Sequence, residues 1–246
     1  MTPPRVAAGI VFAVPIEADA FARLAADVVE TRGGGLVFHA GTIVGKPVAW
    51  CVGGVGREHA ARAAQLLLDG HRPRRLVSAG FAGGLDPAVE RGSLVRGGSV
   101  RGPSGGIPLP LATRDDGPQA TGPLIVTVDR IVCTPAEKAA LAAATGGSIC
   151  DMETLAVAEI AAAAGVPCHG LRVVSDAASD HVPPDVGRLA QPQSTARRAG
   201  AVLGMVGRRP RAAADLWRLW ERAVVDGRSL AAGLAAEIAA LGEPAH

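Results

Sequence analysis

The stretch from Ile149 to Asp176, continuing to Ser179, constrains this chain most. It sets two acids, Asp151 and Glu153, at the mouth of an alanine-rich helix, then crosses that helix and a strand to deliver Asp176 at the strand's end. Carboxylates gathered at strand ends mark a small-molecule site in an open α/β sheet. The other segments can be read by what they add to that cluster.

The run Ala7 to Val14 is apolar throughout, as a strand buried on both faces requires. Pro15 then opens a helix, its missing N–H being an orphan there anyway, so Glu17 falls in the first helical turn. Leu36 to Val44 and Pro47 to Gly53 read as a hairpin turned at Gly45-Lys46. Gly53-Gly54-Val55-Gly56 leads from it into a helix over Glu58 to Leu68. Arg75 to Ala79 is the next strand, followed by a second glycine loop, Gly80 to Pro87, with Phe81 and Gly83 inside it. Glycines between strand and helix let backbone N–H groups approach a ligand, although a tight turn explains them equally well.

Gly102 to Gly122 is rich in Pro and Gly and is expected to be an exposed loop; Leu124 to Val128 is expected to be a strand. Thr134-Pro135-Ala136-Glu137 carries the signature of a helix start, with Thr at the N-cap and Glu three residues on. After His181 the character changes. Pro183-Pro184 interrupts the pattern, and Arg208-Arg209-Pro210-Arg211 leads into a helix with Leu216, Leu219, Trp220 and Val224 on one face and Trp217 nearby. That stripe suits packing on the domain or on a partner subunit; beside a basic segment it also suits peripheral membrane contact.

With 246 residues, 48% of them hydrophobic but only 3% aromatic, the chain fits one domain with an Ala, Val, Leu and Ile core. A net charge of +2 with scattered arginines gives no basic stripe, so no nucleic-acid partner is expected. Val6 to Val14 lacks the basic flank of a signal peptide, and no other apolar run reaches the ~18 residues of a membrane span. A cytoplasmic protein is expected. Cys51, Cys133, Cys150 and Cys168 have no metal-ligand spacing and read as reduced structural thiols, and His169 beside Cys168 lacks further ligands, so neither a metal nor a cofactor is expected.

Glu17, the two glycine segments, Asp151-Met152-Glu153 and Ser175-Asp176, in this order, resemble the purine nucleoside phosphorylase and nucleosidase superfamily over about Gly9 to Ser179, and within it the methylthioadenosine/S-adenosylhomocysteine nucleosidase branch. The resemblance implies a three-layer α/β/α sandwich around a mixed central sheet. It implies a catalytic core over residues 1–180, with 181–246 a C-terminal helical extension on the same domain, and a homodimer or larger. It also implies roles. Asp176 would protonate N7 of the departing purine with Ser175 holding it, Glu17 would activate water, and Glu153 would bind the ribose hydroxyls with Met152 against the sugar. Gly54, Gly56, Phe81 and Gly83, with strand backbone at Ile131 and Val132, would position the nucleoside. Asp151 is expected on the surface or behind the site. Singly, Glu17, Glu153 and Asp176 suit helix-end or cap roles; their order favours a site.

The chemistry agrees with that set. Cleaving an N-glycosidic bond builds positive charge on the sugar and negative charge on the base, so it needs an acid at the base and a carboxylate at the sugar. Phosphorylases of the superfamily hold phosphate with arginines and a small hydroxyl residue, and here Phe81 takes the hydroxyl position with no arginine just before it, which points to water as nucleophile. Arg57, beside the first glycine segment, is the cation that would support phosphate instead. The Gly102 to Gly122 segment lacks the aromatics that line the 5′ pocket of the methylthioadenosine enzymes, and an open pocket suits a longer apolar 5′ group. His181 to Pro184, Arg208 to Pro210 and the following helix resemble the hopanoid-associated branch, which implies adenine removal from adenosylhopane. A phosphate-dependent phosphorylase, a methylthioadenosine/S-adenosylhomocysteine nucleosidase and a non-catalytic nucleoside-binding module stand as the alternatives.

Overall fold

The computed structural model describes residues 5–112, 122–182 and 210–241, with backbone alone for 210–220. Its elements in chain order are β1 (Ala8–Phe12), α1 (Pro15–Ala22), β2 (Ala26–Gly33), β3 (Leu36–Ile43), β4 (Lys46–Val52) and α2 (Arg57–His71). Then come β5 (Leu76–Gly84), β6 (Leu94–Arg96), β7 (Ser99–Gly102), β8 (Gly105–Pro110) and β9 (Leu124–Thr127). The chain continues through α3 (Pro135–Thr145), β10 (Ile149–Asp151), α4 (Thr154–Ala163), β11 (Cys168–Asp176) and α5 (Pro210–Ala240).

The strands join one mixed sheet in the order β2-β3-β4-β1-β5-β10-β9-β7-β8, with β11 lying along β5 and carrying β6. β1, β4, β5 and β11 run parallel, so their carboxyl ends open on the same edge; β10 runs antiparallel to β5 and pairs Cys150 with Gly83.

Side-chain alternation along the buried strands divides the core into two layers. In β1, Val11 faces Ala60, Ala63, Ala64 and Leu67 of α2 together with Leu155 and Val157 of α4. Ile10 and Phe12 face the other way, into Phe21 of α1, Trp50, Val173 and the α5 residues Leu230, Leu234 and Ile238. Each such aliphatic side chain contributes roughly 1.5–3 kcal/mol by leaving water. α1 and α5 come so close that a Cβ on Gly227 would sit 2.8 Å from the Ile16 carbonyl oxygen. This is a three-layer α/β/α arrangement in which α5 is part of the core.

Several expectations need revision. β2 was not anticipated: its sequence, ADVVETRG, is exposed along its length because it is the sheet edge, so no apolar face shows. The second glycine segment is not a loop, because β5 continues through Gly84 with Gly80, Phe81 and Gly83 paired to Arg172, Val173 and Asp176. The segment beginning at Gly102 contains β8, hairpinned to β7, where an exposed loop was expected; residues 113–121 lie outside the described residues. Residues 183–209, and the side chains of Leu216, Trp217, Leu219 and Trp220, likewise lie outside them. Among the described residues no helix is long and apolar enough to cross a membrane.

Candidate active site

Glu17, third residue of α1, turns its carboxylate back onto the chain before it. Oε2 accepts from the N–H groups of Ala13 at 2.9 Å and Val14 at 3.0 Å, and Oε1 from the N–H of Phe81 at 2.9 Å. An ionised carboxylate offers about four lone-pair positions, so Oε1 keeps one for a ligand. Gly80 makes the approach feasible: a Cβ there would lie 2.5 Å from Glu17 Oε1. Burial pushes the Glu17 carboxyl above its ordinary value, opposed by those N–H groups and the Arg172 charge.

Glu153 caps α4 by position but not by side chain. Its Oε1 accepts from Gly56 N–H at 2.8 Å and its Oε2 from Met152 N–H at 3.3 Å. Gly54 and Gly56 have φ of 109° and 98°, values that side chains with a Cβ rarely adopt, so the first glycine segment aims an N–H at this carboxylate. Burial, then the neighbouring Asp151 carboxylate, pushes Glu153 up to about 7.

Asp176 ends β11, where a bulge between Val174 and Asp176 brings it opposite Gly83. The Ser175 hydroxyl lies 2.7 Å from Asp176 Oδ1 and 3.2 Å from the Ala82 carbonyl. A Cβ on Gly83 would lie 3.1 Å from Asp176 Oδ2. Glu17 and Asp176 thus border β5 at positions three residues apart, about 10 Å along a strand.

Ile131 and Val132 are not on a strand. They lie in the connection from β9 to α3, which the helix cap organises: Glu137 accepts from Cys133 N–H and Thr134 N–H, both at 3.1 Å, while the Thr134 hydroxyl accepts from Glu137 N–H at 3.2 Å. Val182 N–H donates to the Cys133 carbonyl at 2.9 Å, tying this connection to the chain beyond Asp176. The Phe81 ring packs against the core on the α1/α5 side, leaving its N–H on Glu17. Met152 packs on a small cluster of Leu85, Val126, Val128 and Cys150.

Asp151 is not on the surface. It is buried and ion-paired to Arg172, whose Nε donates to Asp151 Oδ2 at 2.9 Å and whose Nη2 lies 2.6 Å from the same oxygen. Arg172 Nη2 also donates to the Ser78 and Thr154 hydroxyls at 2.7 and 2.8 Å, and Thr127 Oγ1 donates to Asp151 Oδ1 at 2.7 Å. The Arg172 charge acts on both Glu17 and Glu153. Sequence reasoning passed over Arg172, although an arginine inside the buried run LRVVS requires a buried partner. It also passed over Lys138, fully buried on α3, whose Nζ donates to Asp176 Oδ2 at 2.6 Å; one polar residue on an alanine-rich helix gives no such signal. Among the described residues no group of three or more His, Cys, Asp or Glu side chains gathers as a metal-ligand set.

The chain and its fold have counterparts among known proteins. The family model described as the phosphorylase superfamily matches residues 7–110 and 111–209. The chain belongs to this superfamily. One relative, a 5′-methylthioadenosine/S-adenosylhomocysteine nucleosidase of Shewanella sp. strain MR-7, is 29% identical over 178 residues, covering 61% of this chain and 75% of its own. Among solved structures, the nucleosidase of that name from Neisseria meningitidis, in complex with methylthio-immucillin-A, superposes with a TM-score of 0.73 at 16% identity, over 95% of this chain and 99% of its own. Futalosine hydrolase of Helicobacter pylori strain 26695 gives 0.61 at 17% identity, over 91% and 94%. At such identities these structures establish a common fold.

Proposed function

We propose that the protein is an N-ribosyl hydrolase that releases adenine from a 5′-substituted adenosine. The observation that carries the reading is that Glu17, Glu153 and Asp176 are each held by fixed donors around the glycine-bearing end of β5, with one acceptor position left on Glu17. In the reaction the ribose 2′- and 3′-hydroxyls donate to Glu153, and Glu17 accepts a proton from water as its oxygen attacks C1′. The C1′–N9 electron pair leaves with the purine, and Asp176 gives its proton to N7. Glu17 returns its proton to solvent and Asp176 regains one, so the balance is nucleoside plus water giving free sugar plus base. Acid–base help of this kind is worth about 10²–10⁴-fold per group.

Water rather than phosphate is supported by Arg172, whose charge is already met in the interior, while Arg57 is drawn into a surface pair. Arg57 pairs with Glu159 at 3.5 Å, and Arg172, paired in register with Gly80, is bound to Asp151. A phosphate dianion would need such donors. The nucleosidase names of the relatives agree with hydrolysis, while the likeness to futalosine hydrolase keeps a second class of 5′-modified nucleoside in view. The finer reading, a long apolar 5′ group as in adenosylhopane, is supported by the sequence after His181 and by the missing aromatics. Chromatography of base released from methylthioadenosine, S-adenosylhomocysteine, adenosine, inosine, futalosine and a long-chain 5′-alkyl adenosine, with and without phosphate, tests it. Phosphate-independent adenine release is expected, fastest from the long-chain compound. Strict phosphate dependence overturns the hydrolase, and preference for methylthioadenosine overturns the long-chain substituent.

A further inference from the structure

Lys138 reaches Asp176 from behind the site. Its side chain has no exposed surface, and its Nζ has three acceptors: Asp176 Oδ2 at 2.6 Å, the Ala177 carbonyl at 2.5 Å and the Asp180 carbonyl at 3.2 Å. Three acceptors match the three N–H bonds of an ammonium, which can only donate. The Asp176 side chain retains 20% of its surface, so the carboxyl is open on one side and backed by a buried cation on the other. Ala177 N–H donates to Asp180 Oδ2 at 2.9 Å, so the turn that carries two of the acceptors is itself closed.

We infer that Lys138 is a positioning residue for the proton transfer to the purine, acting as a fixed counter-charge behind Asp176. The role rests on the nucleosidase reading above. In the reacting state, with the proton on Asp176, the buried Lys138 charge is met only by the Ala177 and Asp180 carbonyls. When the proton passes to N7 and the C1′–N9 pair leaves with the base, a carboxylate remains 2.6 Å from the ammonium. The step therefore ends in a paired ion instead of an isolated one, and the buried cation favours the side of the transfer on which the base is protonated. The two backbone contacts hold Nζ in place while the carboxyl changes charge.

The test compares Lys138→Gln, which keeps donors but no charge, and Lys138→Met with the wild type on two substrates. One is the best nucleoside found for the wild type; the other is 4-nitrophenyl riboside, whose acidic phenol leaves without a proton. For Lys138→Gln, kcat on the nucleoside should fall by about 10²–10³-fold with KM within a few-fold, and nitrophenyl riboside hydrolysis should stay within a few-fold of wild type. Equal losses on both substrates, or a nucleoside kcat within threefold of wild type, would overturn the role. If Lys138→Met does not fold, Lys138→Gln decides alone. A wild type that releases no base from any nucleoside overturns the nucleosidase reading and this role with it.

Discussion

Replacing Arg172 by methionine isolates the ion pair that underlies the site. The guanidinium makes two contacts to Asp151 Oδ2, two to the hydroxyls of Ser78 and Thr154 and one to the Leu171 carbonyl at 3.1 Å, with both charged side chains at most 2% exposed. Methionine fills much of the same volume but leaves Asp151 as an uncompensated buried anion. Removing one partner of such a pair costs about 3–5 kcal/mol, out of a total stability on the order of 5–15 kcal/mol. With a urea m value of roughly 2 kcal/mol/M, the midpoint should fall by about 2 M. The double variant with Asp151→Asn should recover a large part of that loss, because the stranded charge is gone. Losing Arg172 also removes a charge that holds Glu153 down, so the acid limb of the nucleoside KM should move above pH 7, where burial already places that carboxyl. A midpoint within about 0.3 M of wild type, or a double variant no better than the single, would refute the reasoning.

Two further expectations follow from the same geometry. Gly80→Ala puts a Cβ 2.5 Å from Glu17 Oε1 and 2.9 Å from its Cδ, so kcat should fall by about 10²-fold through displacement of the carboxylate, with KM little changed and about 1–3 kcal/mol of stability lost; steady-state kinetics and urea melts read both, and wild-type kcat would contradict it. Glu153 is pushed up from 4.5 to about 7, so unfolding releases its proton between those values and stability declines as pH rises through them. Glu153→Gln should remove a pH dependence on the order of 2–3 kcal/mol from melts at pH 5 and 8, and in the wild type KM should improve as pH rises through about 7, where the carboxylate that accepts the ribose hydroxyls forms.

How far the chain could be read in advance depended on whether a local signal existed. Pro15 after an apolar run gave α1 and placed Glu17, and Thr134 to Glu137 gave the start of α3, because strand burial and capping chemistry are written in adjacent residues. The partners of the carboxylates were another matter. Gly80 and Gly83 read as turn residues, but they sit inside β5 where neighbouring carboxylates need the space, a reason that exists only once α1 and β11 are in place. The bulge at Ser175 leaves no mark in the alternation of β11. Arg172 did leave a mark, a cation in a buried run, whereas Lys138 joins Asp176 across 38 residues and had none. Edge strand β2, exposed throughout and with Val28 and Val29 adjacent instead of alternating with polar residues, cannot be told from a loop by periodicity.

In the proposed reaction water, activated at Glu17, takes the place of the purine on C1′. Running the reaction to a single turnover in oxygen-18-labelled water, with phosphate present, and weighing the released sugar by mass spectrometry tests that directly. One labelled oxygen in the free sugar and no sugar phosphate are expected. An unlabelled sugar 1-phosphate would contradict that reaction.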